Sequence, residues 1–526
     1  MPTESRSSYD ELPYSEGCFH VSHPDHLATL AVVHGIPAPP VERCRVLELG
    51  CARGGNLLPM ALELPDATFI GVDLSERQIA QARETAARLG LSNVDLRVMS
   101  LTGIDGSFGT FDYIVCHGVY SWVPDGVREK ILAICSENLA PNGLAYVSYN
   151  TYPGWHERGM VRELMLFHSR KATAVAERLE KARAFPTELA RVLTNASGPY
   201  ASVLRKEGGL IREAEDAYVF HDFLEEDNQP TYVHEFLTRA GRHGLEFLAE
   251  AGKPGLLSGL PASARQAISS WEDDTVSREQ YLDFVCNRSF RRTVLRRAGG
   301  PPASEPAPEV VERLRVSSAL KPVSAGAVVT DDSAVEFGQP EDSGSITTNN
   351  PFVKVALEAL FEERPAALGF EGLWTKVRDR LGENGKPLPA PEEEGRRSLR
   401  AALLQLSLSD LVELHVRPPN PATEVSPRPV SSPLARLQAA NAARVTNLRR
   451  RGVDLTDFDR AVLLLLDGTR DLDAVLEALV GQVLSGNFQL SREGQAMRNP
   501  RAIRKAFAGE IGDIVRRFAA SALLAR

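Results

Sequence analysis

Residues 45–56, Arg-Val-Leu-Glu-Leu-Gly-Cys-Ala-Arg-Gly-Gly-Asn, form a short apolar run that breaks into glycines, after which the chain resumes as the apolar Leu57-Leu58-Pro59-Met60-Ala61-Leu62. The pattern reads as strand, tight turn and helix. An apolar run bounded by glycine suits a buried parallel strand, and Gly50, Gly54 and Gly55 allow a sharp turn and close approach of a ligand to the backbone. The helix N-terminus that follows gathers free N–H groups and the positive end of the helix dipole, so an amino-acid carboxylate is expected to be held there by backbone alone. Glu48, at the end of the strand, is then placed to take the ammonium of the same ligand.

The second strand narrows the choice of ligand. Thr68-Phe69-Ile70-Gly71-Val72-Asp73 is an apolar run ending in an acid, about 20 residues beyond the turn, where an adenosine ribose needs a carboxylate for its hydroxyls. Dinucleotide enzymes obey the same rule. Their turn is G-x-G-x-x-G, however, and the turn here carries Glu48 just ahead of its first glycine. An acid at that point repels a pyrophosphate and pairs with an ammonium. S-adenosylmethionine is therefore expected in place of NAD, bound through Glu48, Gly50 and Asp73, with Ser100 and Leu101 beyond the third strand against the adenine.

Strand and helix go on alternating, with a third strand at 94–99, a fourth at 111–116, a helix at 127–139 and a fifth strand at 144–149. That rhythm is the mark of an α/β, doubly wound, Rossmann-like sheet with its ligand across the carboxyl ends of the strands. Asp112, inside the fourth strand, is expected to organise the sheet edge. Long helices at 158–185 and 186–192 look like an insertion, a helix at 232–243 and a sixth strand at 245–250 return to the core, and a seventh strand is not evident. Helices then resume over 262–297 and end in Arg288-Ser289-Phe290-Arg291-Arg292-Thr293-Val294-Leu295-Arg296-Arg297, which reads as a solvated basic face.

Pro-rich stretches at 299–308 and 418–433 and a polar, acidic reach at 331–350 are linkers by composition. Helices at 352–361, 370–380 and 397–409 followed by a strand at 412–416 resemble a winged helix. The expected domains are a cofactor-binding core at 1–155, a helical insertion at 156–215, a return to the core with a helical regulatory region at 216–300, a linker-rich connector at 301–350, a winged helix at 351–420 and a C-terminal helical domain at 421–526. A helix beginning after Pro24 precedes the first strand and is expected to fold over the cofactor as a lid. His20, His23 and His26 suggest a metal by their spacing, but Pro24 breaks any shared helical face and no acid or cysteine completes a ligand set, so no metal is expected.

Composition excludes several classes. A chain of 526 residues is too long for one core. Its 43% hydrophobic and 25% charged content is that of soluble globular material, and no apolar run approaches the ~20 residues that span a bilayer. The start, Met1-Pro2-Thr3-Glu4-Ser5-Arg6, lacks the form of a signal peptide, so a cytoplasmic protein without membrane insertion is expected. Cys18, Cys44, Cys51, Cys116, Cys135 and Cys286 make no C-x-x-C pair, which supports neither a disulfide framework nor a zinc site. A net charge of −9 argues against wrapping nucleic acid.

Four segments carry a resemblance: Tyr9-Asp10-Glu11-Leu12-Pro13-Tyr14, the glycine turn from Val46 to Leu57, His117-Gly118-Val119-Tyr120-Ser121-Trp122-Val123-Pro124, and Ser148-Tyr149-Asn150-Thr151-Tyr152-Pro153-Gly154-Trp155. Together they resemble the bacterial class I protein-lysine methyltransferases of the kind that modify rickettsial outer-membrane protein. Arg288-Ser289-Phe290-Arg291-Arg292-Thr293 and Leu466-Asp467-Gly468-Thr469-Arg470 extend the likeness over nearly the whole chain. The resemblance implies a class I methyltransferase fold, a helical middle domain, a C-terminal winged helix and a tendency to form homodimers. It completes the expected cofactor set with Tyr14, Cys51, Ala52, Asn56, Leu74 and His117.

Methyl transfer from a sulfonium is an in-line displacement, so the protein must place a neutral nucleophile against the methyl and strip it of water. A lysine amine begins near pKa ~10.4, but a dry apolar channel beside a cationic sulfonium favours loss of its proton. The loops after the fourth and fifth strands carry Tyr120, Asn150 and Tyr152 as expected catalytic groups, and His117, Trp122 and Trp155 as expected substrate contacts. Their aromatic rings suit the aliphatic stem and charge of lysine. No N-P-P-Y motif is present, which counts against methylation of nucleic-acid bases or glutamine. A protein lysine is the expected acceptor, with a small metabolite or a cofactor-binding regulator without turnover as the alternatives.

Overall fold

The computed structural model describes residues 12, 17–252, 263, 268, 274–339, 344–488, 491–492 and 495–526. The chain divides into two compact units. One holds residues 36–303 with the described part of 1–17, and the other holds residues 304–526 with residues 18–35.

The first unit is built on a seven-stranded sheet of β1 (Arg45–Leu49), β2 (Thr68–Asp73), β3 (Val94–Val98), β4 (Phe111–Cys116), β5 (Leu139–Asn150), β6 (Leu245–Glu250) and β7 (Phe290–Arg297), in the order β3-β2-β1-β4-β5-β7-β6. The five strands read from the sequence pair in parallel, and β7 inserts antiparallel between β5 and β6. The central strands are buried on both faces, as their unbroken apolar runs demand. On one face Leu47, Val72, Ile114, Tyr120, Tyr149 and Leu295 pack with residues of the helices Asp125–Glu137 and Val233–Arg242. Asp112 Oδ2 accepts from the Arg45 N–H at 2.8 Å and so ties the β1 and β4 edges together.

β7 corrects the reading of 288–297 as a solvated basic helix. Arg291 is fully buried, donating to Asp283 from Nε and Nη2 at 2.8 Å each and to Glu279 Oε2 at 2.9 Å. A strand stands each guanidinium perpendicular to the sheet, and here the carboxylates that neutralise Arg291 come from the preceding helix Thr275–Cys286 and from Glu250 on β6. The inserted helices are Gly154–Ser169, Val175–Val192, Pro199–Glu213 and Asp216–Phe223. They bury their own core of Val161, Met165, Leu179, Leu204, Ile211 and Val219. Pro186 lies inside Val175–Val192 and does not end it, contrary to the expected break.

In the second unit the expected helices appear as Pro351–Glu362, Phe370–Leu381 and Glu392–Leu408, with the strand Glu413–His415 paired to Arg315–Ser317. The reading of 301–350 as a connector is corrected. Val310, Val311, Leu314, Val316, Val335 and Phe337 are buried in the same core as Phe352, Leu373 and Leu403. Short strands among Pro, Ser and Gly have too few residues to show a period. A final cluster gathers Val462, Leu463, Leu479, Phe507, Ile514 and Phe518 from the helices Asp457–Leu465, Leu472–Leu484, Pro500–Ala508 and Glu510–Ala520.

The helix Pro24–Val33 also belongs to this second unit, which corrects its reading as a cofactor lid. Asp25, buried to 1%, bonds His415 Nδ1 at 2.8 Å and the Arg417 N–H at 2.6 Å, and Thr29 Oγ1 accepts from the Val416 N–H at 3.0 Å. His23 Nδ1 accepts from the Asp25 N–H at 3.1 Å, so this ring caps the helix. Among the described residues no helix is long and apolar enough to cross a membrane.

Candidate functional site

At the carboxyl end of β1 the chain turns at Gly50, whose φ of 73° favours glycine and where a Cβ would meet Val119 Cγ2 at 2.5 Å. Ala52 takes φ 48° in the same turn, and its N–H donates to Asp73 Oδ2 at 2.9 Å while the Ser75 N–H donates to Asp73 Oδ1 at 2.9 Å. Asp73 thus holds the β1 turn and the β2 turn together at the carboxyl edge of the sheet. Leu74, next along, is 70% exposed, an uncommon state for leucine.

Four N–H groups of the glycine turn are spent internally. Gly50 and Cys51 donate to the Val72 carbonyl at 2.9 and 3.0 Å, Gly54 donates to the Cys51 carbonyl at 2.8 Å, and Ala52 donates to Asp73. A carboxylate held by backbone there therefore depends on the N–H groups at the start of the helix Leu57–Glu63 and not on those of the turn itself. Cys51 is buried, and a Cβ on Gly71 would meet its sulfur at 2.7 Å, so Gly71 is the position that admits this thiol beneath the turn.

Glu48 is 4% exposed. Asn56 Nδ2 donates to its Oε1 at 2.7 Å, and Oε2 is buried with no hydrogen-bond partner. Burial raises its pKa from 4.5 to about 8, Asp73 adds to the rise, and Asn56 opposes it. An orphaned buried carboxylate oxygen is costly unless something fills the role of donor. A ligand ammonium does so.

Ser100 and Leu101 follow β3 as expected, but they differ. Ser100 is exposed and bonds Thr102 Oγ1 at 2.8 Å, whereas Leu101 is 7% exposed and packs into the sheet core. Tyr14 lies outside the described residues, with most of its motif.

The expected acceptor residues separate in the structure. Tyr120 is 1% exposed, with its ring 5.1 Å from Phe236 and 6.0 Å from Tyr149, and burial raises its phenol pKa. It is a core residue, and its expected catalytic role is corrected: the ring is packed against Phe236 and Tyr149 in the core beneath the sheet. His117 bonds Tyr146 Oη from Nδ1 at 2.8 Å, and burial together with Arg292 lowers its pKa to about 3, so the imidazole is neutral.

Asn150 and Tyr152 do lie at the sheet's carboxyl edge. The Asn150 N–H donates to Ser121 Oγ at 2.8 Å, and its Nδ2 donates to Asn228 Oδ1 at 3.2 Å. Tyr152 is half-buried, its ring 4.2 Å from His156 and 5.2 Å from Tyr232. Trp155 is 1% exposed, edge-on to Trp122 at 6.3 Å and under the Arg158 guanidinium at 5.3 Å. Sequence reasoning missed Ser121, Asn228 and Tyr232. Ser121 joins the β4 loop to both the β5 end and, through its carbonyl and the Gln229 N–H at 2.8 Å, the 228–229 turn. The Asn228-Gln229-Pro230 turn signal ahead of an aromatic was the available clue.

A methyltransferase domain matches residues 46–143, a predicted methyltransferase regulatory domain 215–297, and the C-terminal winged helix domain of PKMT 427–523, further along than the winged helix expected at 351–420. Rickettsia prowazekii protein RP789 is 35% identical over 98% of this chain and 93% of its own length. The structure of PKMT2 from Rickettsia typhi in complex with AdoHcy matches at TM-score 0.87, with 28% identity, over 97% of this chain and 100% of that one. A second structure of PKMT2 from Rickettsia typhi matches at TM-score 0.88, with 28% identity, over 98% of this chain and 100% of that one. With a 3-2-1-4-5-7-6 sheet, an acid at the end of β2 and these relatives along its full length, the chain belongs to the PKMT family of class I, S-adenosylmethionine-dependent methyltransferases.

Proposed function

We propose that the chain N-methylates lysine side chains of a protein, and that it does so as a cytoplasmic homodimer. The observation that carries the acceptor is the aromatic character of the β5 edge. Tyr152, His156 and Tyr232 form a half-exposed ring cluster there, Asn150 supplies an amide, and His117 is uncharged and bonded to Tyr146. Bound S-adenosylmethionine supplies an electrophilic methyl group on a cationic sulfur. Glu48 Oε2 holds the ammonium of its amino-acid end, and Asp73 accepts from its ribose hydroxyls.

The amine nitrogen, once its proton has passed to solvent, would attack with its own lone pair, the N–C bond forming as the methyl's bond to sulfur breaks and the sulfur leaves as the neutral thioether of AdoHcy, so the protein must desolvate the amine and orient it. Asn150 Nδ2 donates to Asn228 Oδ1, which orients the amide so that Oδ1 serves as the acceptor for an amine N–H. Tyr152 meets the same nitrogen with its hydroxyl. No strong base is needed for an amine, whereas a hydroxyl acceptor would need one. The relation to PKMT2 supports a protein acceptor. Incubating a bacterial lysate with cofactor labelled on its methyl group tests the reading by mass spectrometry. Label on lysine side chains is expected, and label confined to small molecules, or on no product at all, overturns it.

A further inference from the structure

Beyond Tyr152 the aromatic cluster runs on across the surface of the first unit. Tyr232 lies 5.2 Å from Tyr152 and 5.9 Å from Phe284, and His234 stacks on Tyr232 at 5.5 Å. Phe284 and Val285, on the helix Thr275–Cys286, are 49% and 41% exposed. Half-buried Tyr152 and Tyr232 running on to the exposed Phe284 form a continuous line of rings that marks a contact surface. The row is also bordered by acids. Glu163 and Glu235 are exposed and act on the Tyr152 hydroxyl, raising its pKa along with burial, the larger cause, and the Tyr232 phenol.

We infer that the Tyr152–Tyr232–Phe284 strip receives a second cationic side chain of the protein substrate, a lysine or arginine a few residues from the one that is methylated. Ring faces attract a cation at exposed sites, and carboxylates at the border complete the complementarity. An acidic or purely apolar segment would leave those carboxylates repelled or unused. The strip begins at Tyr152, which stands at the acceptor edge, so one extended peptide reaches both places. This rests on the protein-lysine reading above.

The test uses the full chain saturated with AdoHcy and two lysine-free 12-residue peptides, one carrying two arginines and the other glutamines at the same positions, with binding followed by calorimetry. The arginine peptide is expected to bind at least tenfold more tightly. Phe284→Ala and Glu163→Gln, both outside the catalytic machinery, should each erase at least half of that preference on a logarithmic scale while AdoHcy affinity stays unchanged. Equal binding of the two peptides overturns the inference, as does an undiminished preference in both variants. A shift from dimer to monomer in Phe284→Ala on sedimentation, with arginine preference intact, assigns the strip to a second copy of the chain and overturns it equally. Because the peptides hold no lysine, failure here is separate from failure of the methylation assay.

Discussion

Asn56 clamps one oxygen of Glu48 at 2.7 Å and leaves the other buried and unbonded, so the end of β1 holds a carboxyl group that is half satisfied until a ligand arrives.

The first prediction follows from its pKa of about 8. At neutral pH most of the free protein carries Glu48 protonated, and an arriving ammonium drives the proton off. Calorimetry of AdoHcy binding at pH 7 in buffers of different ionisation enthalpy should detect a released proton that Glu48→Gln does not release. Affinity in that variant should fall at least tenfold, about 1.4 kcal/mol. For stability the sign is that of a raised acid. Glu48 stabilises the fold below pH 4.5, its ordinary value, and that contribution is lost as pH climbs to about 8, at up to about 1.4 kcal/mol per pH unit. Glu48→Gln should flatten that slope in urea titrations of the ligand-free protein.

The strand-turn-helix-strand geometry of this stretch was legible beforehand. Glu48, Gly50 and Asp73 lie within one strand-turn-helix-strand stretch, where local pattern and spacing specify geometry. The acceptor half was less so, because Asn228 and Tyr232 reach Asn150 and Tyr152 from about 80 residues away along the chain, and no local rule pairs them. Tyr120 misled because a residue after a strand can point to either face. Burial beside Phe236 settles which. β7 was hidden by its arginines, since the partners that make Arg291 tolerable inside the fold, Glu250 and Asp283, sit on other elements.

A second prediction concerns Asp73. Asp73→Ala should weaken AdoHcy binding at least tenfold through loss of the ribose acceptor. It should also lower thermal stability, because the Ala52 and Ser75 N–H groups lose their acceptor. Calorimetry and thermal melts on the same sample separate the two effects. Unchanged affinity would remove Asp73 from the cofactor site.

Truncation after Gly299 gives the third. It removes His415 and the rest of the strand Glu413–His415, leaving Asp25 and the buried face of the helix Pro24–Val33 uncovered. The truncated protein should aggregate, and replacing residues 18–35 by a glycine-serine linker should restore a soluble fragment that still binds AdoHcy. If the simple truncation is as soluble as the full chain, the helix has another cover.

The last prediction sets the two tyrosines of the acceptor loops against each other. Tyr152 is half-buried at the sheet edge, and burial with the neighbouring Tyr232 keeps its phenol protonated through the physiological range. Its hydroxyl is therefore a neutral group able to orient an amine. Tyr152→Phe should lower kcat at least tenfold with AdoHcy affinity unchanged, since the lost contact is made with the nucleophile alone. Tyr120 is sealed among Phe236 and Tyr149, so Tyr120→Phe should keep kcat within about twofold, and Tyr120→Ala should destabilise the fold by roughly 3–5 kcal/mol through the cavity it leaves. Steady-state kinetics with a lysine-bearing protein acceptor decide between them. A Tyr152→Phe enzyme running at the wild-type rate, or a product that proves to be an ether or an ester, would mean that the nucleophile is brought to the methyl by other groups than Asn150 and Tyr152.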